Sequence, residues 1–131
     1  MIKLTAPNGS KVKVNGILVE RVRKALYGEN AAAQTRVWEV VSLVKEAVEQ
    51  VVPLVKAELP SLAALTALEG KKVWFNAKKA IGPLPITRAQ ENYGYKSSIK
   101  IMRYRQYVIE TPDEVRTVIN AAGGTPLNGS E

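Results

Sequence analysis

The sequence predicts an α+β protein in which a small antiparallel β-sheet or barrel is interrupted by a helix-turn-helix insertion and followed by a capped C-terminal helix. Three observations support this class: alternating residues around an Asn-Gly turn, a run of regularly spaced valines, and a Thr-Pro-Asp-Glu segment near the end. A chain of 131 residues is most simply one domain. We expect this domain to span residues 1–124, with the insertion at 31–69 and a disordered tail at 125–131.

The first 24 residues predict a β-hairpin and a third strand. Residues 2–5 and 11–14 alternate apolar and polar side chains, and Asn8-Gly9 between them favours the positive φ angles of a tight turn. After a bend at Asn15-Gly16, residues 17–22 are expected to return as the third strand. The start of the chain is therefore expected to be β structure.

A valine repeat predicts a helix over residues 35–52. The apolar residues recur in steps of four, three, four and three, at Val37, Val41, Val44, Val48 and Val51. Such a helix either lies on the domain's own sheet or pairs two subunits, and we expect a homodimer or higher homo-oligomer through residues 37–52. Pro53 is expected to kink or end the helix.

A second helix is expected from Ser61 to Leu68, because this run is rich in alanine and leucine and Gly70 follows it. The two helices together would form the helix-turn-helix. The second helix contains no basic residue that could contact a phosphate or a base edge, so it is not expected to read DNA.

The last third of the chain combines strands, a loop and the final helix. Residues 73–76 predict a strand, and residues 83–95 predict a long loop of the kind that often carries function. Residues 98–109 are either one long strand or a hairpin that turns near Arg103-Tyr104. Thr111 and Glu114, with Pro112 between them, form a capping box that begins the last helix. We identify no internal repeat.

The positive charge of the chain is concentrated in one segment. The formal net charge is +7, and residues 71–105 alone contain nine Lys or Arg and one acid, Glu91. A concentrated basic segment predicts attraction to an anionic partner such as a phosphate, a nucleic acid or an acidic protein. The alternative is an ordinary solvated surface.

The residue types that are missing exclude several functions. The chain has no Cys and no His, which removes thiol nucleophiles, the usual zinc ligands and Ser-His catalytic groups. We therefore expect a binding protein that is not an enzyme and has no metal or cofactor. No apolar run is long enough to cross a bilayer, so a cytoplasmic protein without membrane contact is expected.

The candidate ligand-binding residues are aromatic, basic and amide side chains: Trp74, Phe75, Arg88, Asn92, Arg103 and Arg105. Arginine can bind phosphate oxygens in a two-pronged manner, an aromatic ring can stack on a base, and an amide can read a purine edge or a ribose. The alternatives are that one of the two adjacent aromatic residues belongs to the core and that the late arginines pair with Glu110 or Glu114.

The two ends of the chain resemble the small β domain of flagellar accessory proteins of the FlbD type. The resemblance rests on residues 1–5 and 7–10 at the start and on residues 99–101 and 107–115 near the end. It implies a small β domain and does not extend to the predicted insertion.

The predicted architecture, basic and without Cys or His, also resembles the phage Thoeris anti-defence proteins of the first type. These proteins sequester cyclic ADP-ribose signals and are built as helix-turn-helix dimers with added strands. The resemblance implies that the chain hides such a signal from an immune effector without cleaving it, with Phe75, Asn92, Arg103 and Arg105 as pocket residues. The alternative is a phage or bacterial structural or accessory protein whose basic segment binds nucleic acid or an acidic partner.

Overall fold

The structure is a computed structural model, and it describes residues 1–26, 29, 31–38 and 43–128. Within these residues the chain forms ten strands and three α-helices, which confirms the predicted α+β class. In chain order the elements are β1 (Ile2–Thr5), β2 (Lys11–Val14), β3 (Arg21–Lys24), β4 (Thr35–Trp38), β5 (Leu43–Val44), α1 (Val48–Glu58), β6 (Leu62–Thr66), β7 (Lys72–Asn76), β8 (Ala80–Leu84), α2 (Arg88–Asn92), β9 (Ser97–Ile101), β10 (Tyr104–Val108) and α3 (Pro112–Ala121).

The described strands form three antiparallel sheets. One sheet is the hairpin β1-β2, a second has the order β10-β9-β8, and a third has five strands in the order β5-β4-β3-β7-β6. The predicted first hairpin is confirmed, with Gly9 at φ +91° in its turn. Residues 98–109 are a hairpin and not one strand, because Met102 takes a positive φ of 55° and reverses the chain between β9 and β10.

The chain contains two copies of one structural unit, and this corrects our expectation of no internal repeat. The first unit (residues 1–59) runs β1 to β5 and then α1; the second unit (residues 62–124) runs β6 to β10 and then α3, with α2 added between β8 and β9. The hairpins also match in sequence: residues 4–15 and 65–76 are identical at seven of twelve positions, the pattern being Leu-Thr-Ala-x-x-Gly-x-Lys-Val-x-x-Asn.

The two units repeat the same internal contacts. The Thr5 backbone N–H donates to Glu46 Oε1 at 2.9 Å, and the Thr66 N–H donates to Glu110 Oε1 at 2.9 Å. Each unit also has its own buried core, in which fully buried residues take equivalent places: Leu4 and Leu65, Val14 and Phe75, Val44 and Val108, Val51 and Val115, Val55 and Ile119.

One strand pairing joins the two units into a continuous sheet. Strand β3 of the first unit pairs antiparallel with β7 of the second, so that Arg21 lies opposite Phe75 and Val22 lies opposite Trp74. This five-stranded sheet has the core of the first unit on one face and the core of the second unit on the other, because successive side chains of a strand point to opposite faces.

The predicted helix over residues 35–52 is wrong over most of its length. Residues 35–38 form β4, residues 43 and 44 form β5, and α1 begins only at Val48. In β4, Thr35 and Val37 are fully buried while Arg36 and Trp38 are partly exposed, which is the period of two of a strand. Valine is β-branched and suits a pleated surface better than a helix, so the strand period prevails here. Val41 of the predicted repeat lies outside the described residues.

The second predicted helix, at residues 61–68, is also wrong, and with it the helix-turn-helix insertion at 31–69. This run forms β6, which pairs along its whole length with β7. Helix-favouring alanines are overridden by this pairing, since tertiary context outweighs propensity. Pro53 does not end a helix but lies within α1.

The third strand, the last helix and the C-terminal tail can also be compared with their predictions. The third strand begins at Arg21 and not at residue 17, because Gly16–Leu18 form a short 3-10 turn. The predicted capped helix is confirmed as α3, in which Thr111 Oγ1 accepts from the Glu114 N–H. In the described part of the tail, the Leu127 N–H donates to the Gly82 carbonyl at 2.7 Å.

Candidate functional site

A cleft of about 610 Å³ lies where the two units meet. The first unit contributes the end of β3, the residues after it and the start of α1. The second unit contributes the start of β7 and two residues of β10. A cleft between two packed units is a common place for a small-molecule site.

The side chains that line the cleft carry an excess of positive charge. Its basic residues are Arg23, Lys24, Lys71 and Lys72, and its acidic residue is Glu49. The three lysines are exposed, and Lys71 pairs with Glu69 at 3.5 Å in an arrangement open to solvent. Exposed ion pairs of this kind are weak, so the lysines remain available to an anion.

Two aromatic rings give the cleft its apolar surface. Trp74 is partly buried and packs against the core of the first unit. Tyr104 is 50% exposed, and its ring centroid lies 3.7 Å from Cζ of Arg21. The cleft thus combines aromatic surfaces with exposed cationic side chains.

Arg21 holds Tyr104 and Gln106 of the cleft lining in place. Its guanidinium lies between the rings of Trp38 and Tyr104, at 3.6 and 3.7 Å from their centroids, and the residue is only 3% exposed. Its Nη1 donates to Gln106 Oε1 at 3.0 Å. Burial lowers the pKa of Arg21 below its ordinary value. This stack joins β3 and β4 of the first unit to β10 of the second.

Glu29 is the counter-ion of the arginines on this face. It accepts from Arg23 Nη1 at 3.0 Å, from Arg36 Nη1 at 2.6 Å and from the Leu26 N–H at 2.6 Å. The hydrogen bond from Arg23, followed by that from the Leu26 backbone, lowers the pKa of Glu29 to about 2. Arg23 therefore contributes to the cleft as a paired cation, whereas Lys24, Lys71 and Lys72 carry the charge that an added anion would meet.

The adjacent aromatic residues Trp74 and Phe75 lie on opposite faces of β7. Trp74 lines the cleft, as a stacking residue would. Phe75 is fully buried in the core of the second unit, so its ring offers no surface to a ligand.

The other four predicted site residues do not line this cleft. Arg88 and Asn92 are exposed on α2, Arg103 is exposed in the turn after β9, and Arg105 is exposed on β10 opposite Lys100. On β10 the alternation of side chains places Tyr104 and Gln106 on one face and Arg105 on the other. The structure therefore brings only Trp74 of the predicted set into the cleft.

The cleft includes residues that sequence reasoning missed, namely Arg23, Lys24, Tyr104 and Gln106. Tyr104 and Gln106 flank the predicted site residue Arg105, and the alternation of side chains along β10 indicates them once the β9-β10 hairpin is known. Arg23 and Lys24 had no local signal, because their place beside β7 depends on the pairing of the two units.

Comparisons with known proteins identify no relative of this chain: no family model, no curated protein and no solved structure matches it. Within the described ranges, no helix is long and apolar enough to span a membrane. The same residues contain no group of three or more acidic side chains that could hold a metal ion.

Proposed function

We propose that this protein binds an anionic nucleotide in the cleft between its two units and holds it without cleaving it. The observation that carries the proposal is the cleft itself, whose lining includes two aromatic residues and three exposed lysines. Aromatic faces stack on bases, and lysine ammonium groups bind phosphates as point charges. A nucleotide contains both groups, a base that can stack on an aromatic ring and phosphates that lysines can bind.

Each group has a distinct role in this proposal. The base stacks on Trp74 or Tyr104, and the phosphates lie toward Lys24, Lys71 and Lys72. Gln106 is committed to structure, since it accepts from Arg21 and donates to the Tyr107 carbonyl at 3.0 Å. Arg23 is held in the cleft lining by its ion pair with Glu29.

The narrowest form of the proposal names a cyclic ADP-ribose signal as the ligand. It rests on the pyrophosphate and adenine that such a ligand contains, because the helix-turn-helix that carried the resemblance to phage anti-defence proteins does not form among the described residues. In this form the protein acts in the cytoplasm of an infected bacterium and lowers the free concentration of the signal.

The test is isothermal titration with cyclic ADP-ribose isomers, ADP-ribose, cyclic dinucleotides and inorganic pyrophosphate. We expect one nucleotide to bind more tightly than pyrophosphate, because only the nucleotide adds base stacking. The double variant Lys71→Gln/Lys72→Gln and the single variant Trp74→Leu should each weaken binding about tenfold or more. Recovery of the ligand unchanged after incubation, measured by chromatography, tests sequestration without cleavage.

A matched control is present in the turn that follows the far end of β7. Lys78 and Lys79 are exposed and belong to the same basic segment but do not line this cleft. Lys78→Gln/Lys79→Gln should therefore retain nucleotide affinity. An equal loss in both double variants would contradict a localised site, and a panel with no binding would contradict the proposed function.

A second candidate function is binding of a nucleic acid by the β9-β10 hairpin. The observation that favours it is the exposure of Lys100, Arg103 and Arg105 together at this hairpin. Contacts with a phosphate backbone weaken steeply with salt, in proportion to the number of phosphates neutralised. Binding of a fluorescent oligonucleotide that falls steeply between low and physiological salt, and that is lost in Arg103→Gln/Arg105→Gln, would favour this function over the nucleotide cleft.

A further inference from the structure

The internal repeat leaves one strand pairing unused. Strand β3 of the first unit pairs with β7, the second strand of the next unit along the chain. The equivalent of β3 in the second unit is β8, and the equivalent of β7 in the first unit is β2. Among the described residues, β8 pairs only with β9 and β2 pairs only with β1, so each has one edge that no strand covers.

We propose that the free edge of β8 in one copy of this chain pairs with the free edge of β2 in a second copy. The pairing repeats between chains the β3-β7 junction that already joins the two units within a chain. Each unit would then contact the unit before it and the unit after it, as in repeat proteins. Because the two surfaces differ, the contact is head to tail, and it closes into a ring or extends as a chain.

The backbone of β2 is suited to this pairing. The Ala6 N–H donates to the Ser10 carbonyl at 2.8 Å, and bonding alternates along an antiparallel ladder, so the N–H groups of Lys11 and Lys13 point away from β1. In the second unit Trp74 takes the place of Lys13. By the same alternation its N–H points away from β6, and Trp74 lies opposite Val22 of β3.

The charges on the two edges are compatible. Lysine on an edge strand often discourages pairing. However, β7 pairs with β3 although Lys72, the equivalent of Lys11, lies next to the three paired residues of β7. Strand β8 has the sequence Ala-Ile-Gly-Pro-Leu and carries no charge, so the lysines of β2 meet no like charge on it.

The C-terminal tail contacts the β8 edge at Gly82 and competes for it there. The Leu127 N–H donates to the Gly82 carbonyl at 2.7 Å, which shows that this edge accepts a backbone donor from outside its own sheet. A second copy must displace that donor. The tail therefore limits the association, and loosening it should strengthen the contact.

Sedimentation velocity over a concentration series tests the proposal on the full chain. We expect the wild-type protein to associate with rising concentration and Leu127→Pro, which removes the competing N–H, to associate at lower concentration. Lys13→Pro removes the outward N–H of β2 that is equivalent to the Trp74 N–H opposite Val22, and it should abolish association. Lys3→Pro is the matched control, because Lys3 faces Lys13 across the hairpin and its N–H points to the opposite edge.

Each outcome decides the matter, provided that far-UV circular dichroism shows both proline variants to be folded. Association that is lost in Lys13→Pro and kept in Lys3→Pro supports the β2 edge. Association that survives Lys13→Pro overturns it. A wild-type protein and a Leu127→Pro variant that both stay monomeric throughout the series overturn the proposal altogether. Should either proline variant unfold, the comparison of Leu127→Pro with the wild type decides instead, because removal of the competing N–H should lower the concentration at which the chain associates. An unchanged concentration dependence then overturns the proposal.

Discussion

The two units share a fold and differ in surface chemistry. Both contain the same hairpin pattern, the same threonine-glutamate contact and a core of equivalent positions. The concentrated basic segment, residues 71–105, belongs entirely to the second unit. Positions that stay the same between the units therefore specify the fold, and positions that differ indicate where each unit has acquired its own role.

The most informative differences lie in the hairpin strands. Lys13 of the first unit is replaced by Trp74 in the second, and this places a ring in the cleft. Exposed Ile17 and Leu18 are replaced by Lys78 and Lys79. A duplicated unit with two different surfaces can form a site at its junction that neither copy forms alone.

The largest expected effect comes from the core position that differs most in size. Phe75→Ala should destabilise the protein by about 3–5 kcal/mol, because it leaves a ring-sized cavity, whereas Val14→Ala at the equivalent place should cost about 2 kcal/mol. Urea denaturation measures both. A stable Phe75→Ala variant that loses nucleotide binding would show instead that the ring contacts the ligand, as the sequence predicted.

The hairpin at the start and the capped helix at the end were predictable because their signals are local. Asn8-Gly9 favours a turn, and Thr111 with Glu114 forms a cap, whatever the rest of the chain does. The valine repeat predicts a helix wrongly because steps of three and four also occur where two short strands and a helix follow one another. The repeated hairpin pattern in residues 4–15 and 65–76 would have identified β6 as a strand.

The cleft was less predictable than the fold because it depends on distant residues. Gln106 meets Arg21 across 85 positions of sequence, and no local pattern encodes that contact. Trp74 could be proposed from its type, but the choice between Trp74 and Phe75 required knowing which face of β7 meets the core. The charge of Arg103 and Arg105 predicts a role in ligand binding, but the β9-β10 hairpin places both residues away from the cleft.

A smaller effect is expected where the first unit buries an arginine and the second does not. Arg21→Ala removes a guanidinium held between two rings and should cost about 2 kcal/mol, while Arg21→Met, which refills the space, should cost less. In the second unit, Ile81 lies opposite Lys100 in the β8-β9 ladder as Arg21 lies opposite Trp38 in the β3-β4 ladder. Ile81→Ala should change stability by under about 0.5 kcal/mol, since Ile81 is 49% exposed. Thermal unfolding compares the three variants, and a stable Arg21→Ala protein would contradict a structural role for the stack.

The smallest effect concerns Glu29, the counter-ion that only the first unit has. Arg23 and Arg36 stabilise its carboxylate and hold its pKa at about 2, below the ordinary value of 4.5, so its contribution is complete above pH 4.5 and is lost as the pH falls toward 2. Glu29→Gln should therefore be less stable than the wild type at pH 7 by about 1 kcal/mol. The difference should shrink steadily below pH 4.5 and vanish near pH 2. Denaturation of both proteins at several pH values measures it, and a difference that stays constant down to pH 2 would mean that Glu29 acts through packing and not through its charge.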